Sequence, residues 1–172
     1  MPPVLCHIAV GSNIEPEKNI PAGLWRLAER VCLTRASTFY RTAPLERPEQ
    51  DDYLNGVVEA AHEGGPAALR ELLRQVEAET GRVRTADKYA ARTLDLDVLL
   101  YGRECATLRE MTVPDPDLWR RPFLAAAALE LAPDLVVPGT GKRLRDLADA
   151  AAMAKLTAAA EFTAALKEQM GL

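Results

Sequence analysis

The sequence predicts an α+β fold. It reads as a ferredoxin-like split βαβ sandwich, with a βαββαβ core and extra C-terminal helices. Two observations carry this. Four short apolar runs with turn residues beside them read as strands, and two stretches with apolar residues at helical spacing fall after the first and third of these runs. At 172 residues the chain is expected to be one domain, with 144–172 as an Ala-rich helical extension.

The first strand, 6–10 (Cys-His-Ile-Ala-Val), ends at Gly11-Ser12-Asn13, a turn sequence. Leu24, Leu27, Ala28 and Val31 then recur at helical spacing after Pro21, which predicts a helix over about 19–31. Thr38, Phe39 and Tyr40 give 33–41 the character of a second strand. After the Pro- and acid-rich loop 43–52, Val57 and Val58 mark 53–61 as a third. Pro66, the series Leu69, Leu72, Leu73, Val76, and Gly81 at its end define the second helix. The run 94–101, Leu-Asp-Leu-Asp-Val-Leu-Leu-Tyr, is the fourth strand. Beyond it, 122–131 is expected to be helical, 135–137 a short strand, and the tail from about Leu144 helical because alanine favours helix.

Bulk properties narrow the function. A net charge of -4 argues against a nucleic-acid or membrane-surface binder, both of which need a positive face. Cys6, Cys32 and Cys105 are three in number and lack CxxC spacing, so neither a disulfide framework nor a zinc site is supported. The N-terminus carries no basic, apolar leader and no run reaches membrane-span length, so a cytoplasmic address is expected. No GxxxxGK[ST] or GxGxxG sequence occurs, so any phosphate must be held by side chains.

Side chains alternate along a strand, which places Asp95 and Asp97 on one face, roughly 6 to 7 Å apart, while Leu94, Leu96 and Val98 anchor the other. Carboxylates this close repel, and a divalent cation removes that cost. Magnesium suits the pair, since it takes one or two carboxylates and completes its shell with water and phosphate oxygens. On the acids alone, a solvated strand with alternating acids explains the pattern equally well. The balance shifts with the basic run 81–93, which carries Arg82, Arg84, Lys88 and Arg92 directly into that strand, because guanidinium groups suit phosphate oxygens. Aromatic residues make up only 5% of the chain, yet Tyr40, Tyr53, Tyr89 and Phe123 fall near predicted strand ends or loops, where a flat ring could stack, and Asn55 shares a strand face with Tyr53.

Together, Gly11-Ser12-Asn13, Phe39-Tyr40-Arg41-Thr42-Ala43-Pro44-Leu45, Asp52-Tyr53-Leu54-Asn55, Gly81-Arg82-Val83-Arg84 and Arg92-Thr93-Leu94-Asp95-Leu96-Asp97 resemble the 6-hydroxymethyl-7,8-dihydropterin pyrophosphokinase family over about residues 6–138. The resemblance implies a ferredoxin-like fold and transfer of pyrophosphate from ATP to a reduced pterin, with release of AMP, in folate biosynthesis. It implies that Asp95 and Asp97 bind two Mg2+ ions and that Arg82 and Arg92 are catalytic. Thr42, Ala43, Leu45, Tyr53, Asn55 and Phe123 would receive the pterin. Glu77, Arg84, Lys88, Tyr89, Val98, Thr112 and Arg121 would receive ATP, and loops near 46–52 and 82–92 would close over both. The partners expected are these two small molecules, with no nucleic acid, no membrane and a monomeric chain.

Three departures stand out. Ala90-Ala91 replaces the family's usual Gly-Pro, Asp115 stands where a histidine is usual, and Tyr89 stands where tryptophan is frequent. The first two motivate a second expectation, a catalytically weakened pterin- or nucleotide-binding module on the same fold.

Overall fold

The computed structural model describes residues 2–87 and 89–172. It contains β1 (Val4–Ser12), α1 (Pro16–Ala28), β2 (Cys32–Ala36), β3 (Tyr40–Thr42), β4 (Tyr53–His62), α2 (Gly65–Glu79), β5 (Asp95–Tyr101), β6 (Ala106–Leu108) and β7 (Met111–Val113). There follow α3 (Asp117–Arg120), α4 (Pro122–Leu131), α5 (Leu144–Leu147), α6 (Ala150–Met153), β8 (Thr157–Ala158) and α7 (Ala160–Met170). The main sheet runs β5-β1-β4-β3-β8, with β2 also on β4. Every neighbouring pair in it is antiparallel.

One face of the sheet, with Cys6, Ile8, Val10, Leu96 and Val98, packs on Leu24 and Leu27 of α1 and on Leu69, Leu73 and Val76 of α2. Val57 and Leu99 of the sheet pack against Leu124, Ala125 and Ala128 of α4. Apolar side chains on both layers are thereby removed from water, the main source of stability in such a sandwich. On β5 this leaves Leu96 and Val98 in the α1/α2 core, while Asp95 and Asp97 line a cleft together with residues of β1, β3, β4 and α4.

Four local readings change. The first helix begins at Pro16 rather than near 19 and ends at Ala28. Proline fits a first turn, where its missing N–H is unneeded, and Pro21 is carried inside the helix. The strand expected over 33–41 is split into β2 and β3. At the break, the Ser37 and Val57 backbones are tied by Ser37 N–H to the Val57 carbonyl and Val57 N–H to Ser37 Oγ, both 2.9 Å. Phe39 turns into the core and meets Phe162 edge-on at 5.4 Å. Its ring lies over Gly56, where an added Cβ would come within 2.7 Å.

The segment 135–137 forms only a single bridge, Val136 with Arg143, and not a strand. The tail is not a continuous helix. Two short helices lead into β8, which pairs with the outer edge of β3, and α7 then buries Leu166. An open strand edge gains hydrogen bonds from any partner it meets, and here that outweighs alanine's helix preference.

Candidate active site

The cleft has a volume of about 470 Å³ and its lining includes Thr42, Ala43, Leu45, Tyr53, Asn55, Tyr89, Arg92, Asp95, Asp97, Arg121 and Phe123. Eleven of the residues singled out from the sequence therefore meet around one space, although they span 82 positions of chain, from 42 to 123. Its floor is the sheet and one wall is the start of α4.

At one end lies a charged cluster. Asp95 Oδ1 is paired with Arg82, and Asp95 Oδ2 accepts from Arg92 Nη1 at 2.6 Å. Arg82 also donates to Glu77 Oε1 at 2.7 Å, and Arg84 to Glu77 Oε2 at 2.6 Å. Glu77 is fully covered and accepts from the Leu96 backbone N–H at 2.8 Å, so it ties α2 to β5 from behind the arginines. Burial by itself would push the Asp95 carboxyl up, but the Arg92 and Arg82 guanidiniums beside it hold it below the usual carboxylate range.

Asp97, on the same strand face, behaves oppositely. Its side chain is 46% exposed to the cleft, yet the protein walls around it and the Asp95 charge push its pKa up to about 6. It pairs with Arg70 Nη1 at 3.0 Å, and the same nitrogen donates to the Leu96 carbonyl at 2.7 Å. A cation on Asp97 would relieve this repulsion. Asp95 and Asp97 share the lining with Asp115 and Asp117, and there is no thiolate or imidazole among the described cleft residues; an all-carboxylate donor set suits a hard ion that also takes phosphate oxygens. Among the described residues no group of three or more His, Cys, Asp or Glu side chains could hold a metal by itself.

The other end is aromatic and amide in character. Asn55 Nδ2 donates to Thr42 Oγ1 at 2.7 Å, which leaves its carbonyl oxygen toward β1. There it lies against Gly11, where a Cβ would come within 2.4 Å of that oxygen, so only glycine at 11 lets Asn55 stand in this rotamer. Tyr53 and Phe123 come from β4 and from the first turn of α4 and line the same space.

The remaining sequence candidates are placed differently. Val98 is buried in the core, and Thr112 is on β7 opposite Thr107. Arg82, Arg84 and Glu77 stand beside the cleft rather than on its lining, and Lys88 is outside the described residues. Residues given no site role in the sequence reading also contribute: Gln50 and Asp117 line the cleft, Arg70 holds Asp97, and Asn13, named there only as a turn and motif residue, holds the Arg92 backbone. Arg70, Arg74 and Glu77 follow the apolar positions 69, 73 and 76 by one residue each, so that spacing could have flagged a polar stripe on α2 facing β5.

Two strand-borne carboxylates, arginines around one of them and adjacent aromatic side chains are groups chemically suited to a phosphate-rich ligand beside a flat one. A family model for 7,8-dihydro-6-hydroxymethylpterin-pyrophosphokinase matches residues 7–133, and the chain belongs to that family. It is 36% identical over 140 residues to the 2-amino-4-hydroxy-6-hydroxymethyldihydropteridine pyrophosphokinase of Haemophilus influenzae, covering 80% of this chain and 87% of the relative. To the enzyme of the same description from Pseudomonas aeruginosa it is 37% identical over 145 residues, covering 82% and 88%. A mitochondrial folate synthesis bifunctional protein of Arabidopsis thaliana is 36% identical over 126 residues, 72% of this chain and 23% of that one. Among solved structures, the HPPK-DHPS of Plasmodium falciparum superposes with a TM-score of 0.59 at 10% identity, over 98% of this chain and 45% of that chain. At that identity the likeness speaks for a mixed α/β fold with an antiparallel sheet.

Proposed function

We propose that this cleft transfers pyrophosphate from ATP to the hydroxymethyl group of 6-hydroxymethyl-7,8-dihydropterin and releases AMP, a step of folate biosynthesis. The observation that carries it is the placement of Asp95 and Asp97 beside Arg82 and Arg92 at one end of a cleft whose other end holds Tyr53, Asn55 and Phe123, in a chain of this family. An oxygen–phosphorus bond forms between the substrate hydroxyl and the β-phosphorus. The bond from that phosphorus to the oxygen of the AMP group breaks, and the hydroxyl proton is released.

Asp95 and Asp97 would hold two Mg2+ ions, which when bound supply charge neutralisation to the ATP phosphates. Arg82 and Arg92, now held on Asp95, have pairs of phosphate oxygens as alternative acceptors for their planar guanidinium donors and would stabilise the charge on the transferring group. Asn55 would read the edge of the pterin, Thr42, Ala43 and Leu45 would meet it through backbone, and Tyr53 and Phe123 would stack on it. Glu77, Arg84, Lys88, Tyr89, Val98, Thr112 and Arg121 are carried as the ATP contacts, with Val98 restricted to its backbone because its side chain is in the core. The finer class of the fold is the ferredoxin-like split βαβ. The strand order, with β1 between β5 and β4 and with α1 and α2 on one face, supports it. The chain is read as one catalytic unit extended by 144–172, acting as a cytoplasmic monomer.

The test is AMP formation by the purified protein with ATP, Mg2+ and the hydroxymethyl dihydropterin, and with each left out in turn. AMP that needs all three supports the proposal. Tight ligand binding without AMP would support the weakened binding module instead.

A further inference from the structure

Asn13 follows β1 and its side chain is 4% exposed, so its amide must find partners inside the protein. It finds three. Oδ1 accepts from the Arg92 backbone N–H at 2.8 Å, and Nδ2 donates to Gln50 Oε1 at 3.0 Å and to the Asp51 carbonyl at 3.3 Å. Gln50 Nε2 in turn donates to the Tyr89 carbonyl at 3.0 Å. The Asn13 N–H also donates to the Arg92 carbonyl at 3.1 Å, so one residue grips the Arg92 peptide on both sides. The result is a closed circuit from Asn13 through Gln50 and Tyr89 to Arg92 and back.

The circuit joins three chain segments that no element of secondary structure connects: the end of β1, residues 50–51 and residues 89–92. One segment leads into Tyr53 and Asn55, the other carries the guanidinium that meets Asp95. A second strut, Arg47 with Asp87 at 2.7 Å, spans the same gap, but both side chains are more than a third exposed and such pairs contribute little. The bonds of the buried Asn13 amide are the stronger tie, because breaking one strands a desolvated group.

We infer that Asn13 is a positioning residue whose amide latches 50–51 to 89–92, so that the aromatic end and the arginine end of the cleft take up their working geometry together. The inference rests on reading the cleft as the site of the two substrates. Asn13 touches neither in this reading; it acts through Gln50 and Arg92. The latch makes opening of either segment a shared event, and loss of one bond in the circuit is felt in both.

The test is amide hydrogen exchange on the ligand-free protein, which needs no turnover, followed by kinetics. Gln50→Ala is made first because it lies in an irregular segment and removes side-chain bonds only. Exchange at 89–92 is expected to rise about fivefold or more, although the substitution is some 40 residues away in sequence. Asn13→Asp, which keeps an acceptor for the Arg92 N–H and loses both donated bonds, should do the same. In turnover, each substitution should lower kcat about tenfold, and the double variant should be no slower than the slower single. Exchange that rises only around the substituted residue, or losses in kcat that multiply in the double variant, would overturn the latch. A wild-type protein that forms no AMP but shows the shared exchange would count against the pyrophosphokinase reading alone.

Discussion

The two ends of the cleft are built on different physical terms. At the phosphate end, Asp95, Arg82, Arg92 and Glu77 hold one another in short ion pairs, so a ligand there must compete for groups already satisfied. At the aromatic end, Asn55 makes one short side-chain bond to Thr42, and its position is fixed from the strand and by the missing side chain at Gly11. The first end offers charge that exchanges partners as ligands arrive, and the second offers a shape already in place. Under the proposed function, specificity for the ring would rest on the second end, and the chemistry, with metal and phosphate, on the first.

If that division holds, the largest loss comes from the acids. Asp97→Asn and Asp95→Asn should each lower kcat by at least about 100-fold, since each removes a charge at the transferring group. Pterin affinity, measured by calorimetry, should stay within about twofold. A parallel loss of pterin binding would merge the two ends. Next, Asn55→Ala should weaken pterin binding by about 10- to 100-fold, the effect of losing a hydrogen-bonding group in a mostly closed site, and leave the ATP KM nearly unchanged.

Asp97 also supplies a pH signature that the aromatic end lacks. Its folded pKa of about 6 lies above the ordinary carboxyl value of 3.8. The raised value means that this group adds stability at low pH, which is lost as pH rises through about 6. His7 and His62 are held below their usual range by burial and titrate against this trend, so the clean observable is wild type minus Asp97→Asn. Relative to the variant, the ligand-free wild type should gain about 2–4 °C in melting temperature between pH 7 and pH 5, an effect already reduced for the exposure of the side chain. Mg2+ should bind more weakly on the acid side of pH 6, where it must displace a proton. A difference that does not vary with pH would mean that Asp97 is ordinary and that its neighbours do not crowd it.

Much of this division could be read from residue order, and the exceptions have a common cause. The alternation in 94–101 placed Asp95 and Asp97 on one face because a strand anchored by Leu96 and Val98 leaves them no other side. The series Leu69, Leu73, Val76 marked α2 for the same reason. Phe39 was misread as strand because its β preference is local, whereas its burial under Phe162 depends on a helix more than 120 residues later. The Ala-rich tail reads as helical throughout because the edge of β3, which recruits Thr157 and Ala158, leaves no mark on the tail itself. Nothing in the sequence assigns Asn13, Gln50 and Arg70 their roles in the site, because their partners lie 26 to 79 residues away, where no spacing rule reaches.

The smallest expected effect concerns Asp115, and it tests whether the phosphate end is tuned by charge alone. Asp115 lines the cleft, its Oδ1 accepts from the Asp117 N–H at 2.8 Å, and its backbone N–H donates to the Leu99 carbonyl at 2.9 Å. Burial and then the nearby Asp117 charge push its pKa up, and its own charge is one of those that raise Asp97. Asp115→Asn keeps the acceptor for Asp117 and removes the charge. It should lower the KM for ATP by about threefold to tenfold at neutral pH, because one anion fewer faces the triphosphate. Pterin affinity should not move. Asp115→His adds a ring that can donate to a phosphate oxygen. An Asp115→His protein that binds ATP more tightly than Asp115→Asn would mean that contact, and not only charge, was given up at this position, whereas equal KM values would leave repulsion as the whole of its effect.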